Sequence, residues 1–345
     1  MIRQFELKIE AVECTLSIII VGYKGYKRLQ KCLDSLASFK DKNLKVEIIV
    51  VNNCPGDAEF KYLLNNYTSF RYIENSRNGG YGNGCNLGAS IANGEFYLIL
   101  NPDTIVSEQS LIKLVDFLNA NPAIMAVSCR QVNERGKESV AWGAFPNHLN
   151  LTDMIRKLFS TIPKSQIKHK ENYSSDLFFP DWISGSAILI RKDDYKKING
   201  FDEDFWMYFE DVDLCRRIRN SGGEIAFCTN IIIEHNHGGS SRINRETASI
   251  TKTEVCISKH LYISKHTSGL KKIGLQTFLV INNLVTLIPM AAIGFIFFFV
   301  PKLFLRVFML THMITYYAGC LMRNSWVSPR SANFDSKRRK RRQFR

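Results

Sequence analysis

Two stretches of the chain combine residue types that do chemistry. In the first, Phe96-Tyr-Leu-Ile-Leu-Asn-Pro-Asp-Thr104, five apolar residues stop abruptly at Asn101, Pro102 and Asp103. Proline brings no N–H to a ladder, so a strand ends there and leaves Asn101 and Asp103 at its carboxyl end. Open α/β sheets bind ligands at that edge. An Asn-x-Asp pair offers hard oxygen atoms of the kind that hold a divalent cation together with phosphate oxygens. An Asx-turn, with Asp103 opening the next helix, is the plainer explanation. In the second stretch, Glu210, Asp211 and Asp213 open a helix whose apolar face is Val212, Leu214 and Ile218. Simple capping accounts for carboxylates there. Yet the aromatic run before them, Phe205, Trp206, Tyr208 and Phe209, can wall a site and exclude water. Asp213 is expected to pair with Arg216 or Arg217 on the same helix.

The elements that must position these groups are legible as alternating apolar runs. Leu16–Gly22, Val46–Val51, Phe70–Ile73, Phe96–Leu100 and Met125–Cys129 read as strands, the third short and near an edge. Between them, Leu29, Cys32, Leu33 and Leu36 have helical spacing, Asp57 can cap a helix carrying Phe60, Leu63 and Leu64, and a further helix spans Leu111 to Leu118. That alternation predicts a mostly parallel sheet covered by helices on both faces. Asn78–Gly88 carries five glycines in eleven residues and reads as a loop that lets backbone approach a ligand, with a helix after it. It matches neither the P-loop nor the dinucleotide fingerprint. Late strands at Glu224–Cys228 and Ile231–His235 end in His235-Asn-His237-Gly-Gly, and either histidine could serve a site. Residues 131–180 are mixed in pattern, and Trp142, His148, Tyr173 and Phe178 are candidates for stacking on a ligand, although core packing is the commoner role of an aromatic.

The order SIIIVGYK, VVNN, N-G-G-Y-G-N-G-C-N-L-G and LNPD resembles family 2 of the inverting glycosyltransferases, over residues 15–245, and in particular the bacterial rhamnosyltransferase-like branch that builds cell-surface polysaccharides. The resemblance implies a GT-A-type fold and a nucleotide held by Val21, Gly22, Tyr23, Asn52, Asn53, Asn78, Gly79, Gly80, Tyr81, Gly84, Asn86, Asn101 and Asp103. Asn52 stands where the family has an acidic residue that contacts the base. The resemblance further implies Mg²⁺ or Mn²⁺ held by Asp103 and a histidine, His235 being preferred to His237. It makes Asp211 the base, with Glu210 as fallback, and Trp182, Gly185 and Trp206 the acceptor side, Gly185 letting backbone lie close to the sugar. The implied partners are a nucleotide-diphosphate sugar donor and a glycan or lipid-linked acceptor. A sugar-phosphate nucleotidyltransferase shares such a sheet but wants a basic glycine-rich signature after the first strand, which Gly22-Tyr-Lys-Gly-Tyr lacks.

Nine scattered cysteines, never spaced C-x-x-C, suit a reducing compartment, and the mixed charges of the first residues argue against a signal peptide. Net charge is +14, and Ser336–Arg345 holds seven basic residues in ten. A basic module binding membrane or nucleic acid is the non-enzymatic alternative. No nucleic-acid motif is present, and the charge lies outside the α/β region. Two apolar stretches, Ile273–Val300 and Pro301–Leu321, precede the basic tail. A membrane hairpin or an in-plane helix pair keeps both basic flanks on the cytoplasmic side, facing anionic lipid; a dimer interface is the soluble alternative, and oligomeric state stays open. The expected organisation is a catalytic domain over 1–265, a hydrophobic membrane-associating region over 266–330 and a polybasic tail over 331–345.

Overall fold

The computed structural model describes residues 15–37, 39, 44–67, 70–147, 150–151, 176–236 and 244–334. His148, Tyr173, His237 and the basic run after 335 lie outside the described residues. β1 (Leu16–Gly22) is buried along its whole length, between β2 (Val46–Asn52) and β4 (Phe96–Leu100) and parallel to both. β3 (Arg71–Glu74) closes that side beyond β2. Burial on both faces is why these strands are unbroken apolar runs rather than alternating ones. Past β4 the nine-stranded sheet continues through β10 (Ala187–Arg191), β6 (Ile124–Val132), β11 (Glu224–His235) and β5 (Thr104–Ile105). β10 runs against both its neighbours, while β6 and β11 resume the direction of β1, so the sheet is mostly parallel. β8 (Leu177–Phe178) pairs with β11, and β7 (Trp142–Gly143) with β9 (Trp182–Ile183) forms a separate ribbon.

Helices cover both faces. On one, α1 (Tyr26–Ala37), α2 (Ala58–Asn66) and α4 (Glu108–Ala120) pack Leu29, Leu33, Phe60, Leu111 and Leu114 against Ile18, Ile20, Val50 and Leu98. On the other, α3 (Tyr81–Ser90), α5 (Lys192–Lys197) and α6 (Glu210–Asn220) meet Ile19, Val21, Ile49 and Ile99 through Cys85, Tyr195, Leu214 and Ile218. Asp57 caps α2 as expected, its carboxylate accepting from the Glu59 and Phe60 amides. Ser107, not Asp103, caps α4.

Two expectations are corrected. The glycine-rich stretch is not a loop followed by a helix, because α3 begins at Tyr81 and contains Gly82, Gly84 and Gly88. A Cβ at Gly84 would sit 2.7 Å from Val21 Cγ1, and one at Gly88 2.5 Å from Ile19 Cγ2. These glycines therefore let a helix lie against the sheet. The two late strands are one, β11, with a bulge between Cys228 and Ile232.

The described residues fall into two compact units. The first takes those up to Phe145, from 176 to Asp202, and from Asp211 to 236; the second takes the short pieces after Phe145, Glu203–Glu210, and 244–334. Within the second unit, α7 (Arg245–His266) is followed by the apolar pair α8 (Gly269–Ile296) and α9 (Pro301–Arg323). α7 falls in this unit, although the sequence placed it before the boundary at 265. Leu287 of α8 and Met309, Met313 and Tyr316 of α9 share one buried cluster. Two polar interruptions of α8 face inward: Gln276 Oε1 accepts from His260 Nδ1 of α7 (2.5 Å), and Asn283 Nδ2 donates to Tyr317 Oη (2.9 Å), which lies 3.0 Å from His260 Nε2. His260 stacks on Trp326 at 4.8 Å, and burial lowers its pKa to about 4, so it stays neutral in this network. The outer faces of α8 and α9 are apolar and exposed, as is Phe295–Phe299 at their turn.

Candidate active site

The turn after β4 is stiffened on all sides. Thr104 Oγ1 donates to the Asn101 carbonyl (2.7 Å), the Asn101 amide to the Ser186 carbonyl (2.9 Å), and the Asn236 amide to the Asp103 carbonyl (3.0 Å). The ladder pairs Thr104 with His235. Asp103 and His235 are thereby set side by side, with Oδ1 and Nε2 3.2 Å apart and both side chains largely shielded from solvent. Asn101 Nδ2 is 3.4 Å from the same nitrogen. Gln131 Oε1 lies 2.7 Å from His235 Nδ1 and accepts from Ser186 Oγ (2.8 Å). An amide oxygen only accepts, so His235 Nδ1 donates to Gln131, and Nε2 faces the Asp103 carboxylate. Imidazole nitrogen plus carboxylate oxygen suits Mn²⁺, and a hard divalent ion takes its remaining ligands from water and diphosphate. The described residues contain no cluster of three or more His, Cys, Asp or Glu that would make an all-protein cage.

Gln131 was not among the sequence candidates, nor was Arg28. Arg28, on α1, places its guanidinium 3.5 Å from Asp103 Oδ2 and donates to the Asn236 carbonyl at 2.5 Å. It is a half-exposed cation beside the proposed metal position.

Along the same sheet edge, asparagines organise the start of α3. Asn53 Nδ2 donates to Asn78 Oδ1 (3.2 Å) and the Gly80 carbonyl (3.0 Å), and its Oδ1 accepts from Asn75 (2.9 Å). Gly80 caps α3 at φ 97°, a conformation that glycine adopts without strain. Gly79 leaves room for Asn83. Gly22 ends β1 beside Leu29, and Tyr23 follows partly exposed. Asn52 is fully buried; its Oδ1 accepts from the Cys54 amide (3.0 Å), and its Nδ2 donates to Glu74 Oε2 (2.9 Å). The acid at this edge is therefore Glu74, exposed at the end of β3. Val21 and Gly84 pack on each other, and Asn86 is taken up by Tyr195 and by the Phe201 amide and carbonyl. These last three residues build the fold behind the edge.

Asp211 Oδ2 accepts from the Gly185 amide (2.9 Å), and its Oδ1 accepts from the Val212 amide (2.8 Å). The Gly185 carbonyl in turn accepts from Tyr81 Oη at the start of α3 (2.7 Å). A Cβ on Gly185 would meet Tyr81 at 3.3 Å and Asp211 at 3.4 Å, so this glycine brings those two side chains close. Burial raises the Asp211 pKa, against the lowering effect of its amide donors. Asp213 pairs with Arg217 at 2.7 Å. Trp182 Nε1 donates to the Ala144 carbonyl, and the partly buried Trp142 meets the core residue Phe178 edge to face. In the second unit, Trp206 and Glu210 are buried, and Tyr208 and Phe209 both have positive φ, 69° and 65°. Two successive left-handed non-glycine residues cost about 1–3 kcal/mol each.

A model of the family described as Glycosyl transferase family 2 matches residues 17–198, and one described as N-terminal domain of galactosyltransferase matches 170–238. The chain is 28% identical over 215 residues to the rhamnosyltransferase WbbL of Escherichia coli K12, covering 59% of this chain and 77% of that one. It is 22% identical over 253 residues to the N-acetylglucosaminyl-diphospho-decaprenol L-rhamnosyltransferase of Mycobacterium tuberculosis, covering 68% and 79%. The solved structure of GalNAc-T7 with UDP, GalNAc and Mn²⁺ shares the fold at TM-score 0.53 and 16% identity, over 73% of this chain and 48% of that one, so this chain spans about half the length of that protein. With a family model covering more than half its length, the chain belongs to glycosyltransferase family 2.

Proposed function

We propose that the chain is an inverting, metal-assisted transferase that moves a sugar from a nucleotide-diphosphate donor to a glycan or lipid-linked acceptor of a bacterial cell-surface polysaccharide. Rhamnose is the sugar its relatives' names favour, and the diphospho-decaprenol name of one relative favours a lipid-linked acceptor. The observation that carries the reading is Gly185, whose N–H donates to Asp211 and whose carbonyl accepts from Tyr81 at the start of α3. A carboxylate base is thus tied to the helix N-terminus that faces the nucleotide edge, where backbone N–H groups favour anions.

Asp211 keeps a second lone pair on each oxygen, and one of these takes the proton of the acceptor hydroxyl as that oxygen attacks the anomeric carbon from the side opposite the diphosphate. Asp103 and His235 would hold the divalent ion, which when bound supplies positive charge to offset the leaving diphosphate. Gln131 holds the His235 ring through Nδ1, and Arg28 adds a cation near the same oxygens. The apolar pair α8 and α9 is proposed to seat the chain on the cytoplasmic face of a membrane: both helices are long and apolar enough to cross one, with only 28% and 33% of their most apolar windows buried. Asp103→Ala tests the reading in the full-length protein. It is expected to abolish both transfer and Mn²⁺-dependent nucleotide binding without lowering the melting temperature of the nucleotide-free protein. Undiminished transfer in excess EDTA overturns the metal role.

A further inference from the structure

Arg28 combines a fixed position with free donors. It is the third residue of α1, next to Leu29, which is buried in the core. Its Nη1 donates to the Asn236 carbonyl at 2.5 Å and lies 3.5 Å from Asp103 Oδ2. Asn236 is itself held on several sides. Its amide donates to the Asp103 carbonyl (3.0 Å), its Oδ1 accepts from the Glu134 amide (3.0 Å), and its Nδ2 donates to Glu234 Oε1 (2.6 Å). All of these residues lie in the first unit. An ordinary surface ion pair contributes little, because two long side chains must be held in one geometry. Here the guanidinium is anchored to backbone that is already braced.

A guanidinium has five N–H donors in one rigid plane. Among the described residues, the donors on Arg28 Nε and Nη2 meet no hydrogen-bond acceptor, and the side chain is 42% exposed. A planar set of N–H groups of this kind matches the oxygens of a phosphate. The charge is permanent, and the carboxylate it faces is that of Asp103, only 13% exposed. Arg28 therefore acts with opposite sign on two ligands of one site. It attracts an oxyanion, and it repels a divalent cation that takes Asp103 as a ligand.

We propose that Arg28 anchors the donor diphosphate without help from a metal, and that the same charge holds down the affinity of Asp103 for a free divalent cation. This rests on the metal role of Asp103 proposed above. The protein alone then holds the ion weakly, whereas the nucleotide has a foothold before the ion arrives.

The experiment uses isothermal titration of the full-length parent, Arg28→Leu, Arg28→Lys and Asp103→Ala. One arm adds UDP, dTDP, GDP, CDP or ADP in excess EDTA; the other adds Mn²⁺ alone, with the free-ion electron paramagnetic resonance signal as a second readout. The parent is expected to bind at least one of the nucleotides in EDTA. Arg28→Leu should weaken that binding about 10- to 100-fold, as the loss of charge-assisted hydrogen bonds implies. In the other arm it should tighten Mn²⁺ about 3- to 10-fold. Arg28→Lys keeps the charge and not the fork, so its Mn²⁺ affinity stays near that of the parent and its nucleotide binding recovers only in part. Three results overturn the proposal: no nucleotide bound by the parent in EDTA, equal nucleotide binding by the parent and Arg28→Leu, or Mn²⁺ binding no tighter in Arg28→Leu than in the parent. If Arg28→Leu does not fold, Arg28→Gln serves the same test. Equal binding of Mn²⁺ by the parent and Asp103→Ala overturns the metal assignment instead.

Discussion

At the scale of single residues, Asp211 is the most exposed to test. Asp211→Asn keeps the shape and can still accept from the Gly185 amide, but it cannot take a proton. Turnover should fall about 10²–10⁴-fold with donor affinity nearly unchanged, and Glu210→Gln should lose less. Because burial raises the Asp211 pKa, the acidic limb of the pH–rate profile is expected above the ordinary carboxylate range. The stability sign follows from the same shift. The folded state holds this proton more tightly than the unfolded chain, so between the two pKa values stability falls as pH rises. The melting temperature of Asp211→Asn at neutral pH should therefore equal or exceed that of the parent. The placement of Asp103 after a strand, His235 at a strand end and Asp211 at a helix start was legible, because apolar runs stop there. Gln131 and Arg28 were not. Their partners are His235 and Asn236, separated from them by 104 and 208 positions, and only the adjacency of β6 with β11 and the fold of α1 onto the sheet bring them together.

At the scale of elements, β1, β2 and β4 were legible to within a residue, since burial on both faces writes an apolar run, whereas β6 runs three residues past the expected end at Cys129. α3 was not legible, because glycine lowers helix propensity and its sequence lacks an apolar stripe. The signal lay in tertiary space, where Ile19 and Val21 leave no room for a Cβ. Gly88→Ala inverts the usual rule as a result. An exposed helical Gly→Ala change gains about 1 kcal/mol, but here crowding against Ile19 should destabilise by about 1–3 kcal/mol in chemical denaturation. The split of β11 into two expected strands has a local origin. Thr229 and Asn230 interrupt the apolar pattern, and the structure absorbs them as a bulge.

For the whole molecule, nothing in the local pattern of Glu203–Glu210 announces that Met207 and Asp204 are met by Ser258 and Lys265 of α7. The membrane reading makes its own forecast. Phe295 and Phe298 are 71% and 65% exposed, and burial of each in lipid is worth roughly 1.5–3 kcal/mol. Phe298→Ser should weaken co-sedimentation with anionic vesicles by about tenfold or more, the equivalent of roughly 1.4 kcal/mol, and leave turnover on a water-soluble acceptor unchanged. Equal vesicle binding by the variant and the parent would remove the tip of this helix pair from the membrane contact.

The hydrogen bond from Asn52 to Glu74 constrains how this sequence can drift. The two residues share a register position on β2 and β3, and their side chains meet at 2.9 Å. Asn52→Asp alone, which would restore the family's acidic residue, sets carboxylate against carboxylate across the ladder. Glu74→Gln first, then Asn52→Asp, reverses donor and acceptor and keeps the bond. The path between the two states therefore has an order, and the single Asn52→Asp protein should melt below both the parent and the Asn52→Asp/Glu74→Gln double variant.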